Sequence, residues 1–156
     1  MTEYEGRLEA TGRVALVVSR YHEVLTASLL DGALEACRAA GVADADIDVL
    51  HVSGAFELGV VAAALAHHGS YTAIVALGAV IRGQTPHFDY IARETAAALG
   101  RVATETLTPV GFGVLTCDTM EQAAARAGGP HGNKGREAAE AALRTAELLR
   151  RALEED

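Results

Sequence analysis

The chain has no tryptophan, and its 156 residues include only four tyrosines and three phenylalanines. Its core therefore has to be assembled from Ala, Val and Leu, side chains that suit helices packed closely on a sheet. Basic residues are also in deficit. Thirteen Lys and Arg face 21 Asp and Glu, a formal charge of −8 at pH 7. With no basic stripe to offset that balance, the chain does not read as a nucleic-acid binder. Cysteine is scarce as well. Cys37 and Cys117 lie far apart in apolar surroundings, so they read as reduced, buried thiols and not as a disulfide framework. No uninterrupted apolar run reaches the roughly 18 residues of a membrane span. The acidic start "MTEYEGRLEA" has no signal-peptide apolar region, so a cytoplasmic location is expected. Several chemical signatures are missing too. The sequence has no GxGxxG, no GxxxxGK[ST] and no Gly-x-Ser-x-Gly, which argues against dinucleotide, Walker-type and nucleophile-elbow sites. His22, His51, His67, His68 and His131 show no metal-ligand spacing, so no metal is expected.

Half of the residues are hydrophobic. That is enough for a real core, and the length suits one domain over residues 1–156. "VALVVS" (14–19), "IDVLHV" (47–52), "AIVALGAVI" (73–81) and "PVGFGVLT" (109–116) read as strands. All but the second are nearly continuous apolar runs, the pattern of strands buried on both faces. Helical patterns lie between them. Ala27, Leu30, Leu34 and Cys37 form one stripe, with Gly41 as its stop. Leu58 to His68 is a second helix, closed by Gly69. Ile91, Thr95, Ala98 and Val102 mark a third, and residues 121–127 and 136–153 complete the set. Strand-helix alternation with short joins means right-handed βαβ units. The expected fold is a flavodoxin-like, three-layer α/β/α sandwich on a four-stranded parallel sheet. Residues 1–11 fit none of these units and read as an N-terminal arm or an edge strand, one that can pair with a neighbouring subunit.

In such sheets ligands bind beyond the carboxyl ends of the strands. The loop "RGQTPH" (82–87) carries the strongest signal there. Thr85 suits an N-cap and Pro86 the first helical position, so the loop reads at least as a helix start. Gly83, Gln84 and Thr85 also offer backbone amides to an anion such as phosphate, and His87 stands where protons can be shuttled. In "SGAFE" (53–57), Gly54 marks a tight turn. Glu57 is either first-turn helix charge or a carboxylate for sugar hydroxyls or a ring N–H. Tyr21 is either surface filler or a stacking platform. Phe112, inside the fourth strand, reads by itself as core. The glycine-rich "RAGGPHGNKG" (126–135) is either a flexible joint or a cationic clamp built on Arg126 and Lys134.

The segments "GAFEL", "ALGAVIRGQTPHFDY" and "FGVLTCDTMEQAAARAG…GNKG", in this order and spacing, resemble the lumazine synthase family from about Gly12 to Leu149. The resemblance implies a transferase of riboflavin biosynthesis that needs no metal or organic cofactor. Two small molecules, 5-amino-6-(D-ribitylamino)uracil and 3,4-dihydroxy-2-butanone 4-phosphate, would condense to 6,7-dimethyl-8-ribityllumazine with loss of phosphate and water. It assigns proton transfer to His87, with Asp89 as its orienting partner. Gln84, Thr85 and Arg126 would hold the phosphate, with Arg126 supplied by an adjacent subunit. Tyr21, Ala55, Phe56, Glu57, Ala79, Val80 and Ile81 would line the pyrimidine and its ribityl chain, with Phe112 as a wall from the neighbour and Lys134 nearby. Tyr21 replaces the usual Phe or Trp. Ser53 and Gly59 replace prolines that flank "GAFE", a change expected to loosen that loop. The family assembles as homo-pentamers, and the short joint between Gly128 and Lys134 resembles members that pack 60 subunits into an icosahedral shell. A non-catalytic flavin binder would need Tyr21 and Glu57 but have no use for His87, and a shell scaffold would need none of the three.

Overall fold

The computed structural model describes residues 1–154. Strands β1 (Val14–Ser19), β2 (Ile47–Val52), β3 (Ala73–Ile81) and β4 (Val110–Cys117) form one sheet in the order β2-β1-β3-β4. Every pairing in it is parallel. Helices α1 (Glu23–Ala39), α2 (Leu58–His68), α3 (His87–Thr106), α4 (Met120–Arg126) and α5 (Lys134–Glu154) cover its faces. The flavodoxin-like α/β expectation holds.

Strand order and handedness together decide which helix lies where. The chain leaves β1 in one direction across the sheet to reach β2, then reverses past β1 to reach β3 and β4. Right-handed crossovers in opposite directions put their helices on opposite faces. So α1 lies on one face, α2 and α3 lie on the other, and α5 returns to join α1. Successive β1 residues confirm the division. Val14, Leu16 and Val18 enter the core shared with Leu25, Leu29, Ala139 and Leu143. Ala15 and Val17 enter the core of Leu58, Ala62, Leu99 and Val102. α1 and α2 stop where glycine permits a left-handed residue, at Gly41 (φ 88°) and Gly69 (φ 82°).

Three expectations need correction. β1 and β3 are buried on both faces, but β4 is not. It is an edge strand, and Phe112 is 47% exposed instead of core. Of the two readings of the N-terminal residues, the edge strand falls and the arm remains. They run along their own chain, with Leu8 and Ala10 packed on the α1/α5 core and the Ala10 N–H donating to Ala40 O at 2.9 Å. The glycine-rich joint is a short antiparallel hairpin, β5 (Ala127–Gly129) with β6 (Gly132–Asn133). Asn133 fastens it. Its Nδ2 donates to Ser28 O at 2.9 Å, and its Oδ1 accepts from the Arg136 N–H at 3.0 Å.

Glu147 of α5, 1% exposed, anchors the N-terminal segment. It accepts from Arg151 Nε at 2.9 Å and from the Arg7 N–H at 2.8 Å. The Arg151 bond first, then the Arg7 bond, hold its carboxyl down at about 2 against the opposing effect of burial. A carboxyl depressed in the folded state stabilises it fully above the unfolded value, and that contribution is lost as pH falls through the folded one. Acid titration of Tm should therefore steepen between about pH 4.5 and 2, and Glu147→Gln should flatten that slope. An unchanged slope would remove Glu147 from the acid response.

Candidate active site

The sheet reverses its winding between β1 and β3, and a cleft of about 760 Å³ opens at their carboxyl ends. This is the topological switch point where open α/β sheets bind ligands. Three loops, with Met120 of α4, build the cleft.

After β1, the ladder to β2 continues past the strand end. Arg20 N–H donates to Val52 O at 2.8 Å and Tyr21 N–H to Ser53 O at 3.1 Å. That fixes the backbone of Tyr21, whose ring is 70% exposed and meets His22 edge-to-face at 4.7 Å. His22 takes a left-handed conformation (φ 61°) to turn the chain into α1.

After β2, residues Ala55–Glu57 form a 3-10 turn. Glu57 Oε1 accepts from the Gly54 N–H at 2.9 Å, so one carboxylate oxygen caps the turn. Thr95 Oγ1 reaches Ala55 O at 3.4 Å. Two contacts flank this loop. Ser53 O anchors Tyr21, and a Cβ on Gly59 would come within 2.8 Å of Ala98 Cβ, so α2 and α3 meet closely there.

After β3, Ala79, Val80 and Ile81 give the cleft an apolar wall, followed by Arg82, Gly83, Thr85 and His87. Thr85 is not the N-cap. Pro86 occupies that position, and no side chain caps α3. Among the described residues, no backbone carbonyl accepts from the amides of Gly83, Gln84 or Thr85. Asp89 does not orient His87. Its carboxylate pairs with Arg82 Nη2 at 3.5 Å instead.

One cleft thus gathers Tyr21, Ala55, Phe56, Glu57, Ala79, Val80, Ile81, Thr85 and His87. It combines an apolar slot, unpaired amides and a solvent-facing imidazole, which suits a flat ring beside an anion with a proton carrier between them. Residues 11–150 match the profile of the 6,7-dimethyl-8-ribityllumazine synthase family. The chain belongs to that family. A 6,7-dimethyl-8-ribityllumazine synthase of Anaeromyxobacter sp. (strain Fw109-5) is 51% identical over 153 residues, 97% of this chain and 94% of its own. Its namesake in Anaeromyxobacter dehalogenans (strain 2CP-C) is 52% identical over 151 residues, 96% of this chain and 93% of its own.

Four residues that the lumazine synthase resemblance assigns to the site do not line this cleft: Gln84, Phe112, Arg126 and Lys134. Gln84 lies between two residues that do. Phe112 stands exposed on the edge strand. Arg126 donates Nη1 to Gln122 O at 2.9 Å, and Lys134 Nζ pairs with Glu137 at 3.4 Å. Conversely, His22, Arg82, Phe88, Ile91 and Met120 line the cleft without having been expected. Arg82 was signalled by its place at the abrupt end of the β3 apolar run. Phe88 and Ile91 follow from the first turn of α3 facing the sheet. Met120 carries no comparable sequence signal.

The cysteines are free and buried. Burial pushes the Cys37 thiol up to about 11, and the Cys117 thiol is also raised by burial. Neither is thus a ready nucleophile for this site.

Proposed function

We propose that the chain catalyses the condensation of 5-amino-6-(D-ribitylamino)uracil with 3,4-dihydroxy-2-butanone 4-phosphate. The product is 6,7-dimethyl-8-ribityllumazine, with release of phosphate and water, in the penultimate step of riboflavin biosynthesis. The observation that supports this reading is a cleft, in a chain of the lumazine synthase family, lined by His87 together with the apolar β3 wall and by Gly83 and Thr85, whose amides are unpaired. The pyrimidine amine attacks the ketone, and water leaves to form a Schiff base. Phosphate is then eliminated, and the ring closes as the ribitylamino nitrogen adds to the remaining carbonyl and a second water leaves. Both substrates already carry the reactive groups, so the protein's part is alignment and proton transfer.

In this reading His87 moves protons between the two ligands. Tyr21, Phe56, Glu57 and the β3 wall hold the pyrimidine and its ribityl chain. The amides near Gln84 and Thr85 receive the phosphate. Phe112 and Arg126 complete the site from an adjacent subunit of a pentamer, with Lys134 close by. That neither lines its own chain's cleft, and that Phe112 stands exposed on the edge strand, support a role across a subunit boundary. The short hairpin before α5 favours packing of pentamers into a 60-subunit shell.

Purified protein mixed with both substrates should form the lumazine, followed optically, faster than the uncatalysed mixture. A rate equal to background would reject the enzyme reading. Sedimentation should give a pentamer or a 60-subunit particle, and a monodisperse monomer would sink the roles given to Phe112 and Arg126.

A further inference from the structure

We propose that Arg82 is a positioning residue that locks the uncapped first turn of α3, and with it His87, to the end of β4. The kinetic part of this proposal rests on the condensation reading above. The structural part does not.

A helix normally secures its first amides through a capping side chain. α3 has none. Arg82 reaches the same turn by another route. Its backbone N–H donates to Cys117 O at 2.9 Å, so its own position is set by β4. Its Nε donates to Asp118 Oδ1 at 2.7 Å, and its Nη2 lies 3.5 Å from Asp89 Oδ1. The guanidinium carbon sits 4.5 Å from the centre of the Phe88 ring. Phe88 and Asp89 are the two residues that follow His87, so the guanidinium grips the chain immediately beside the imidazole. The far anchor is itself held, because the Asp118 N–H donates at 2.9 Å to Gln122 Oε1, the side chain that closes the capping box of α4 with Thr119.

A planar fork on a fixed backbone can meet two carboxylates and an aromatic face at once, whereas an ammonium cannot. The group is half exposed, and exposed ion pairs add little to global stability. What Arg82 contributes is therefore local geometry, to which a proton-transfer step is sensitive.

Arg82→Ala, Arg82→Lys and Asp118→Asn test this. In Arg82→Ala, exchange of the Asp89 amide, which bonds Pro86 O at 3.1 Å, and of the Tyr90 and Ile91 amides should quicken about tenfold, with the rest of α3 unchanged. The turnover number should fall about tenfold with both Michaelis constants held within about twofold. Arg82→Lys, which keeps the charge, should recover less than half of that loss. Asp118→Asn should lower turnover in the same direction but less, and it serves if Arg82→Ala does not fold. Unchanged exchange, unchanged turnover or full rescue by lysine would each overturn the lock. A wild-type protein that makes no product would sink the condensation reading alone, and exchange would still decide the lock.

Discussion

His87→Ala is expected to lower the turnover number about 100-fold while leaving both Michaelis constants within a few-fold. His87 opens α3 and lines the cleft. It is exposed, so its removal leaves no cavity and should not disturb folding. The surfaces proposed to hold the ligands belong to other residues: the Ala79–Ile81 wall, the Ala55–Glu57 turn and the Gly83–Thr85 amides. Binding should therefore survive. What is lost is the group that carries protons between an amine and a leaving phosphate. A residual rate should remain, because holding two mutually reactive molecules together is itself catalytic. Steady-state kinetics with each substrate varied in turn would check this, and an unchanged turnover number would take His87 out of the mechanism.

Gly135→Ala is expected to destabilise the fold by about 3 kcal/mol, the upper end for overpacking, and to lower Tm by roughly 5 °C or more. Gly135 sits in the first turn of α5. A Cβ there would run into the Leu29 backbone carbonyl of α1. Backbone cannot rotate aside as a side chain can, so the two helices would have to separate, and the layer containing Leu29, Ala139 and Leu143 would open with them. Gly100 offers the control. It lies inside α3 with nothing near its Cβ position, so Gly100→Ala should stabilise by roughly 0.5–1 kcal/mol through helix propensity. Thermal melts of both variants would decide. Equal shifts would mean that the contact of α1 with α5 does not set the spacing of that layer.

The architecture was readable because burial writes itself into residue pattern. Continuous Val, Ala and Leu runs marked β1 and β3, and glycines marked the ends of α1 and α2. β4 misled because an edge strand with an exposed phenylalanine has the same composition as a buried one. The hairpin around Gly128 to Asn133 was hidden by glycines, which permit turns and flexible joints alike. At the cleft, the loop sequences pointed to His87, Glu57 and Tyr21, but the partners of side chains were not readable. Thr85 followed by Pro86 has the composition of a cap and does not act as one. Asp89 lies two residues from His87 and turns instead to Arg82. The bond from Arg82 to Asp118 joins residues 36 apart in sequence, and no local periodicity reports such a pairing.

The packing of α1 against α5 also has a consequence in time. α5 begins roughly a hundred residues after α1 ends, which at ordinary rates of synthesis is a delay on the order of 5–20 s. β1 must meanwhile wait for β3, its central partner. The apolar stripe through Leu29 and Ala33 therefore emerges from the ribosome long before Ala139 and Leu143 can cover it. The nascent chain carries that stripe uncovered until α5 is made, so a vulnerable interval runs through translation from the emergence of α1 to that of α5.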